Sequence, residues 1–170
     1  DIPVMTRQIL DLKAEYKNEI QIRYGIEVDY FPGHEEELRD LIDSIPVDYV
    51  IGSVHFIGDW NFDTDQSLYG KWSNDKLYEK YFTLIKQAAQ SGLFDIIGHI
   101  DIIKKFRIYP ESNQDQLFDD TLKIIKDHNL VVELNTGGMD RPYAEFTPGP
   151  RLLEMCHHHH IPVTLSSDAH

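Results

Sequence analysis

The stretch GPRLLEMCHHHHIPVTLSSDAH, residues 149–170, decides how this chain is read. Residues 149–159 read as a helix. Residues 161–170 read as a strand whose apolar start runs into Asp168 and His170, two metal-binding side chains one residue apart. The same helix-to-strand unit recurs upstream. TRQILDLKAEYKNE (6–19) precedes IQIRYGIEVDY (20–30), and HEEELRDLIDS (34–44) precedes VDYVIGSVHFIG (47–58). DKLYEKYFTLIKQAAQSG (75–92) precedes LFDIIGHID (93–101), and NQDQLFDDTLKIIKDHN (113–129) precedes LVVELN (130–135). Five such units in a row predict an α/β chain whose parallel sheet is covered by helices on its outer face, either doubly wound or a barrel. The one long irregular connection expected is GDWNFDTDQSLYGKWSN, residues 58–74, and loops of that length in compact domains often contribute to sites.

Successive strand residues point to opposite faces, so each strand can be split by parity. Ile22, Tyr24, Ile26 and Val28 share one face and Arg23, Gly25, Glu27 and Asp29 the other. Ser53 and His55 lie opposite Val50, Val54 and Phe56. The third strand aligns Ile97, His99 and Asp101, the fourth Glu133 and Asn135, the fifth Thr164, Ser166, Asp168 and His170. A half-exposed antiparallel sheet would also show polar faces, but parallel sheets are covered on both sides. These groups are therefore expected in an enclosed space, where carboxylates and imidazoles are costly unless paired or bound to metal. They fall at the C-terminal strand ends, where barrel active sites sit.

Glu27, His55, His99, Asp168 and His170 make a mixed nitrogen and oxygen set that suits Zn²⁺, Mn²⁺ or Fe²⁺ rather than Ca²⁺. Each is weak evidence alone; five at equivalent ends of four strands favour a metal site. Divalent ions held close together acidify water for attack on a phosphorus or carbonyl centre, so the predicted chemistry is hydrolysis. No glycine-rich nucleotide loop competes, and Cys156 sits beside the histidine run without the nucleophile elbow of a serine hydrolase.

Composition bounds this reading. With 170 residues, 41% of them hydrophobic, the chain can bury a core and falls within the range of one domain. The formal charge of −13, with no cluster of Lys and Arg, argues against duplex nucleic acid as a partner. A lone cysteine, no apolar run of membrane-spanning length and no signal-peptide pattern lead us to expect a cytoplasmic protein without membrane partners. Nothing bears on the oligomeric state. The run His157 to His160 is expected at a helix end far from the strand tips, outside the site.

GIEVDY, SVHF with WNFD, GHID, VVELNTGG and SSDAH, in this order over nearly the whole chain, resemble the histidinol-phosphate phosphatases of the polymerase and histidinol phosphatase (PHP) family. The resemblance implies a distorted (β/α)7 TIM-like barrel with its active site at the C-terminal strand ends and two or three divalent ions. It implies hydrolysis of L-histidinol phosphate to L-histidinol and phosphate, in histidine biosynthesis. Glu27 would be the metal-bridging carboxylate, His55 and His99 further ligands, and Asp168 with His170 the closing pair. Arg141, after the fourth strand, would grip the substrate phosphate, as a guanidinium matches phosphate oxygens bidentately. Catalysis would rest on Asp168, His99 and Arg141. The family's H-x-H first strand has no counterpart ahead of GIEVDY, so residues 1–170 are expected to be a single PHP-type barrel domain lacking its first strand or strands and its C-terminal end.

Asp29 is expected either to orient a ligand or to bind the substrate's ammonium group. Trp60, Asn61 and Asp63 are expected to form a lip over the pocket, where an acidic and aromatic pair could hold a cationic imidazole, with loop packing alone the alternative for Trp60. Asn135 is expected to line the pocket, Glu133 to pair inside the barrel, Ser53 to hydrogen-bond beside His55, and Lys104 and Lys105 to be solvated rather than to steer an anionic phosphate. Two alternatives remain: a relative acting on another phosphate ester or a nucleotide, and an inactive metal-binding domain.

Overall fold

The chain, in a computed structural model that describes residues 2–140 and 144–169, alternates helix and strand from end to end. In order come α1 (Ile2–Glu15), β1 (Gly25–Asp29), α2 (Glu35–Asp43), β2 (Tyr49–Ser53) and a short hairpin of β3 (Phe56–Ile57) and β4 (Trp60–Asn61). There follow α3 (Asn74–Gln90), β5 (Ile96–Ile97), α4 (Asp115–Asp127), β6 (Val131–Asn135), α5 (Pro150–His158) and β7 (Val163–Ser166). Short 3-10 turns lie at Ile102–Lys104 and Gly137–Asp140. No helix among the described residues is long and apolar enough to cross a membrane.

The five-stranded sheet runs β1-β2-β5-β6-β7 and every pairing is parallel. Spatial order thus follows chain order. A doubly wound sheet reverses direction at a switch point, whereas a barrel advances one strand at a time the same way. The sheet is therefore an arc of the barrel type, with β1 and β7 at its edges.

Register fixes which residues share a face. Val28, Gly52, Ile97, Val132 and Val163 lie across from one another in turn, and the first four are buried toward the helices. Gly52 leaves room there for the Phe94 ring, since a Cβ would stand 2.3 Å from it. Against this face pack Leu77, Tyr78, Tyr81, Phe82, Ile85, Ala88 and Ala89 of α3, a stripe at helical spacing, with Leu122 and Ile125 of α4 and Leu152, Met155 and Cys156 of α5. Removing a side chain such as Ile125, fully buried, costs about 2–5 kcal/mol by the usual cavity penalty. The opposite face borders a cavity of 890 Å³ lined by Arg23, Tyr49, Ile51, Glu133, Thr164 and Asp168 among others.

Several expectations are corrected. The second strand is broken: β2 stops at Ser53, and residues 56–61 turn back as the β3–β4 hairpin around Gly58, whose φ of 62° favours glycine. The third strand is only two residues long, and Ile97 lies on the core face, not with His99 and Asp101 as parity suggested. His99 follows the strand, where alternation no longer applies. The first helix begins four residues earlier than expected, with Pro3 in its first turn, where a missing N–H costs nothing. Helices do not cover the whole outer face either: Leu165 of β7 is 77% exposed.

Candidate metal centre

Three ligand-bearing side chains meet at the C-terminal ends of β1, β2 and β5. Glu27 is on β1, and His55 and His99 each lie two residues beyond the end of a strand. Their ligand atoms all fall within 4.8 Å of one another, and this is the only such group of three among the described residues. His99 Nε2 is 3.1 Å from Glu27 Oε1 and 3.2 Å from His55 Nε2. His99 is buried, His55 half-buried, and the Glu27 side chain 40% exposed, so the cluster opens to solvent on one side and is not enclosed as expected.

Each member is held from behind. Asp29 Oδ1 lies 2.6 Å from His55 Nδ1, which places the proton on Nδ1 and leaves Nε2 facing the cluster with its lone pair. Ser53, expected to hydrogen-bond beside His55, donates its hydroxyl to Glu27 Oε1 at 2.6 Å. Gly98 makes that bond possible, because a Cβ there would stand 2.5 Å from Ser53 Oγ. The His99 backbone N–H donates to Glu133 Oε2 at 2.8 Å.

The electrostatics fit cation binding. The hydrogen bond from His99 lowers the Glu27 pKa to about 2, against burial and with help from Ser53, so Glu27 is ionised at any working pH. Burial alone would lower the His99 pKa, but the hydrogen bond and charge of Glu27, with the charges of Glu133 and Asp168, raise it above 6.5. His99 Nδ1 is buried without a hydrogen-bond partner. Two imidazole nitrogens and a carboxylate oxygen crowded at hydrogen-bond distance have too few protons to satisfy one another. That donor set suits a borderline metal such as zinc, and Asp29–His55 supplies the carboxylate–histidine pairing common behind metal ligands.

The other expected residues are placed as follows. Asp168 follows β7 in a left-handed conformation (φ 53°), exposed, with its N–H on Ser166 Oγ at 3.0 Å. Its charge acts on His99, although its carboxylate is not in the close group of three. His170 and Arg141 lie outside the described residues. Asn135 is buried, donating to Glu133 Oε2 (3.2 Å) and accepting from the Gly137 N–H (2.8 Å). Asp29 is engaged through Oδ1 with His55, the first of the two roles expected of it.

The expected lip is corrected. Trp60 is buried against Phe62, Tyr69 and Trp72 with its indole N–H on the Asp65 carbonyl, a packing role. Asp63 accepts from Lys105 Nζ at 2.6 Å, so its charge is already paired. Neither lysine is simply solvated. Lys104 is 3% exposed, ion-paired to Asp101 at 2.9 Å and donating to the Phe146 carbonyl at 2.9 Å. Sequence reading missed this clamp and the part played by Gly98; the glycine preceding a site histidine was the one available signal. Of the histidine run, His159 pairs with Asp119 at 2.8 Å, at the C-terminal end of α5.

A mixed imidazole and carboxylate cluster at the C-terminal mouth of a barrel-type sheet defines the class to which comparison then gives a name. A model of the PHP domain matches residues 5–137, and the chain belongs to that family. Its relatives carry histidinol-phosphatase names. A Deinococcus radiodurans protein named a probable histidinol-phosphatase is 35% identical over 99% of this chain, and a Lactococcus lactis histidinol-phosphatase is 26% identical over 100% of it. The chain spans 65% of the length of each. The crystal structure of a histidinol phosphate phosphatase from Lactococcus lactis, complexed with zinc, L-histidinol and phosphate, superposes with a TM-score of 0.81. It is 25% identical, with 99% of this chain and 66% of that one covered.

Proposed function

We propose that this chain is the greater part of a divalent-metal-dependent phosphomonoesterase that hydrolyses L-histidinol phosphate to L-histidinol and phosphate. The observation that carries the reading is the convergence of Glu27 Oε1, His55 Nε2 and His99 Nε2 at adjacent strand ends. In support stand family membership and a relative crystallised with zinc, L-histidinol and phosphate.

Residues 1–170 are read as one PHP-type barrel domain, whose edge strands β1 and β7 pair further in the whole protein. Glu27, His55, His99, Asp168 and His170 would hold the metal ions, two or three in number, of Zn, Mn or Fe. Bound divalent ions supply acidification of water and neutralisation of phosphoryl charge. The chain's own groups do the rest. Asp29 keeps the proton of His55 on Nδ1, and Ser53 donates to Glu27 Oε1, the oxygen that faces the cluster, and so fixes its direction. Arg141 would bind the phosphate and Asn135 would line the pocket. The setting is cytoplasmic histidine biosynthesis.

The test is phosphate release from L-histidinol phosphate by the natural full-length protein with Mn²⁺, then with EDTA, beside a generic phosphate ester. Release that needs metal and prefers histidinol phosphate supports the reading. Preference for the other ester overturns the substrate, and metal binding without release of either overturns the enzyme.

A further inference from the structure

Glu133 lies on β6 facing the inner cavity, yet it is 4% exposed. A carboxylate so buried is costly unless hydrogen-bonded. Its two bonds fall on one oxygen: Oε2 accepts the His99 backbone N–H at 2.8 Å and the Asn135 amide at 3.2 Å. Asn135 in turn accepts the Gly137 N–H at 2.8 Å and is bridged on both sides to the Thr147 backbone, so it sits at the root of the segment after β6.

His99 needs such support. The His55 ring is fixed by Asp29, whereas the remaining ring nitrogen of His99, Nδ1, is buried without a partner. The β-ladder also ends early: β5 pairs only through Ile96 and Ile97, so His99 stands two residues beyond it. The carboxylate of Glu133 replaces the missing ladder bond at the His99 N–H.

We propose that Glu133 is a positioning residue that sets the placement of His99 through its main chain and of Asn135 through its side chain. The two sides of the candidate site are thereby tied to one carboxylate. This rests on the metal-centre reading of Glu27, His55 and His99.

The experiment titrates Mn²⁺ into chelator-stripped full-length protein by calorimetry, for wild type, Glu133→Ala, Glu133→Gln and the core control Ile125→Val. Glu133→Ala is expected to weaken metal binding about 10–100-fold, the usual effect of removing a group behind a ligand. Glu133→Gln keeps a carbonyl that can accept from His99 and is expected to stay near wild type. Ile125→Val is expected to lower the melting temperature with no change in affinity. Wild-type affinity in Glu133→Ala overturns the proposal, as does an equal loss in Ile125→Val, which would make the effect one of stability. Glu133→Gln as weak as Glu133→Ala also overturns it, since charge and not position would then matter. If Glu133→Ala does not fold, Glu133→Asp carries the test. It withdraws the carboxylate by one methylene and must bind metal more weakly than Glu133→Gln. A wild type that binds no metal overturns the metal-centre reading itself, a result separable from the others.

Discussion

Asp29 Oδ1 lies 2.6 Å from His55 Nδ1, joining the end of β1 to the residue pair beyond β2. Asp29 and Ser53 are register partners, so the sheet itself brings the carboxylate alongside the histidine. In Asp29→Asn an amide can present its NH₂ to Nδ1 and move the imidazole proton to Nε2, the nitrogen that faces the cluster. Metal affinity of the full-length protein is expected to fall about 10–100-fold with little change in melting temperature. Unchanged affinity by calorimetry would show that Asp29 does not fix the tautomer.

Gly98 and Ser53 should behave as a coupled pair. A Cβ at position 98 would stand 2.5 Å from Ser53 Oγ and 3.0 Å from Ile51 Cγ2. Gly98→Ala is expected to destabilise by about 1–3 kcal/mol, the range for overpacking, and to turn the hydroxyl away from Glu27. In a denaturation cycle, Ser53→Gly should restore part of that loss. Strict additivity of the two substitutions would count against the contact.

The Glu27–His99 pair gives opposite pH dependences to stability and to metal binding. The Glu27 pKa is lowered from 4.5 to about 2, so its contribution to stability is present above 4.5 and lost as pH falls toward 2. The His99 pKa is raised from 6.5, so its contribution is full below 6.5 and lost as pH rises through the raised value. Without metal, the melting-temperature difference between wild type and Glu27→Gln should be greatest between pH 4.5 and 6.5. Metal requires His99 neutral, so affinity should instead climb as pH rises through that range. A stability difference that is flat from pH 4 to 8 would contradict the pairing.

Lys104 should matter for stability far more than the exposed lysines. It sits 3% exposed between Asp101 and Glu145, and losing it leaves Asp101 buried without its cation. Lys104→Met is expected to cost about 3–5 kcal/mol by urea denaturation, as for other broken buried pairs. Lys123→Ala, which removes an exposed i,i+4 pair with Asp119 that solvent screens, should cost far less. Similar values for the two would refute the distinction.

Much of this was legible in the sequence because helix and strand periodicities differ. The alternation of units, and the placing of Glu27, His55 and His99 at strand ends, needed nothing beyond hydrophobic pattern and parity. Parity failed where the ladder ran out: β5 is two residues long, and its neighbours follow a turn, not a pleat. Long-range pairings were invisible for another reason. Lys105 with Asp63, Lys104 with Phe146, and Glu133 with the His99 main chain depend on distances that no local spacing encodes. Trp60 misled because an aromatic residue in a polar loop looks the same whether it faces a ligand or packs on Tyr69.

The run of β1, β2, β5, β6 and β7 side by side in chain order also bears on how the molecule is made. No strand must be threaded between two that are already paired. As the chain leaves the ribosome, each new strand finds the preceding one already present and adds to its free side, so the sheet can grow outward during synthesis. A doubly wound sheet cannot grow outward in one direction, because its later strands must return to the opposite side of the first. The arc should therefore tolerate slow elongation well and suffer from changes that delay the pairing of β1 with β2, on which its later strands build.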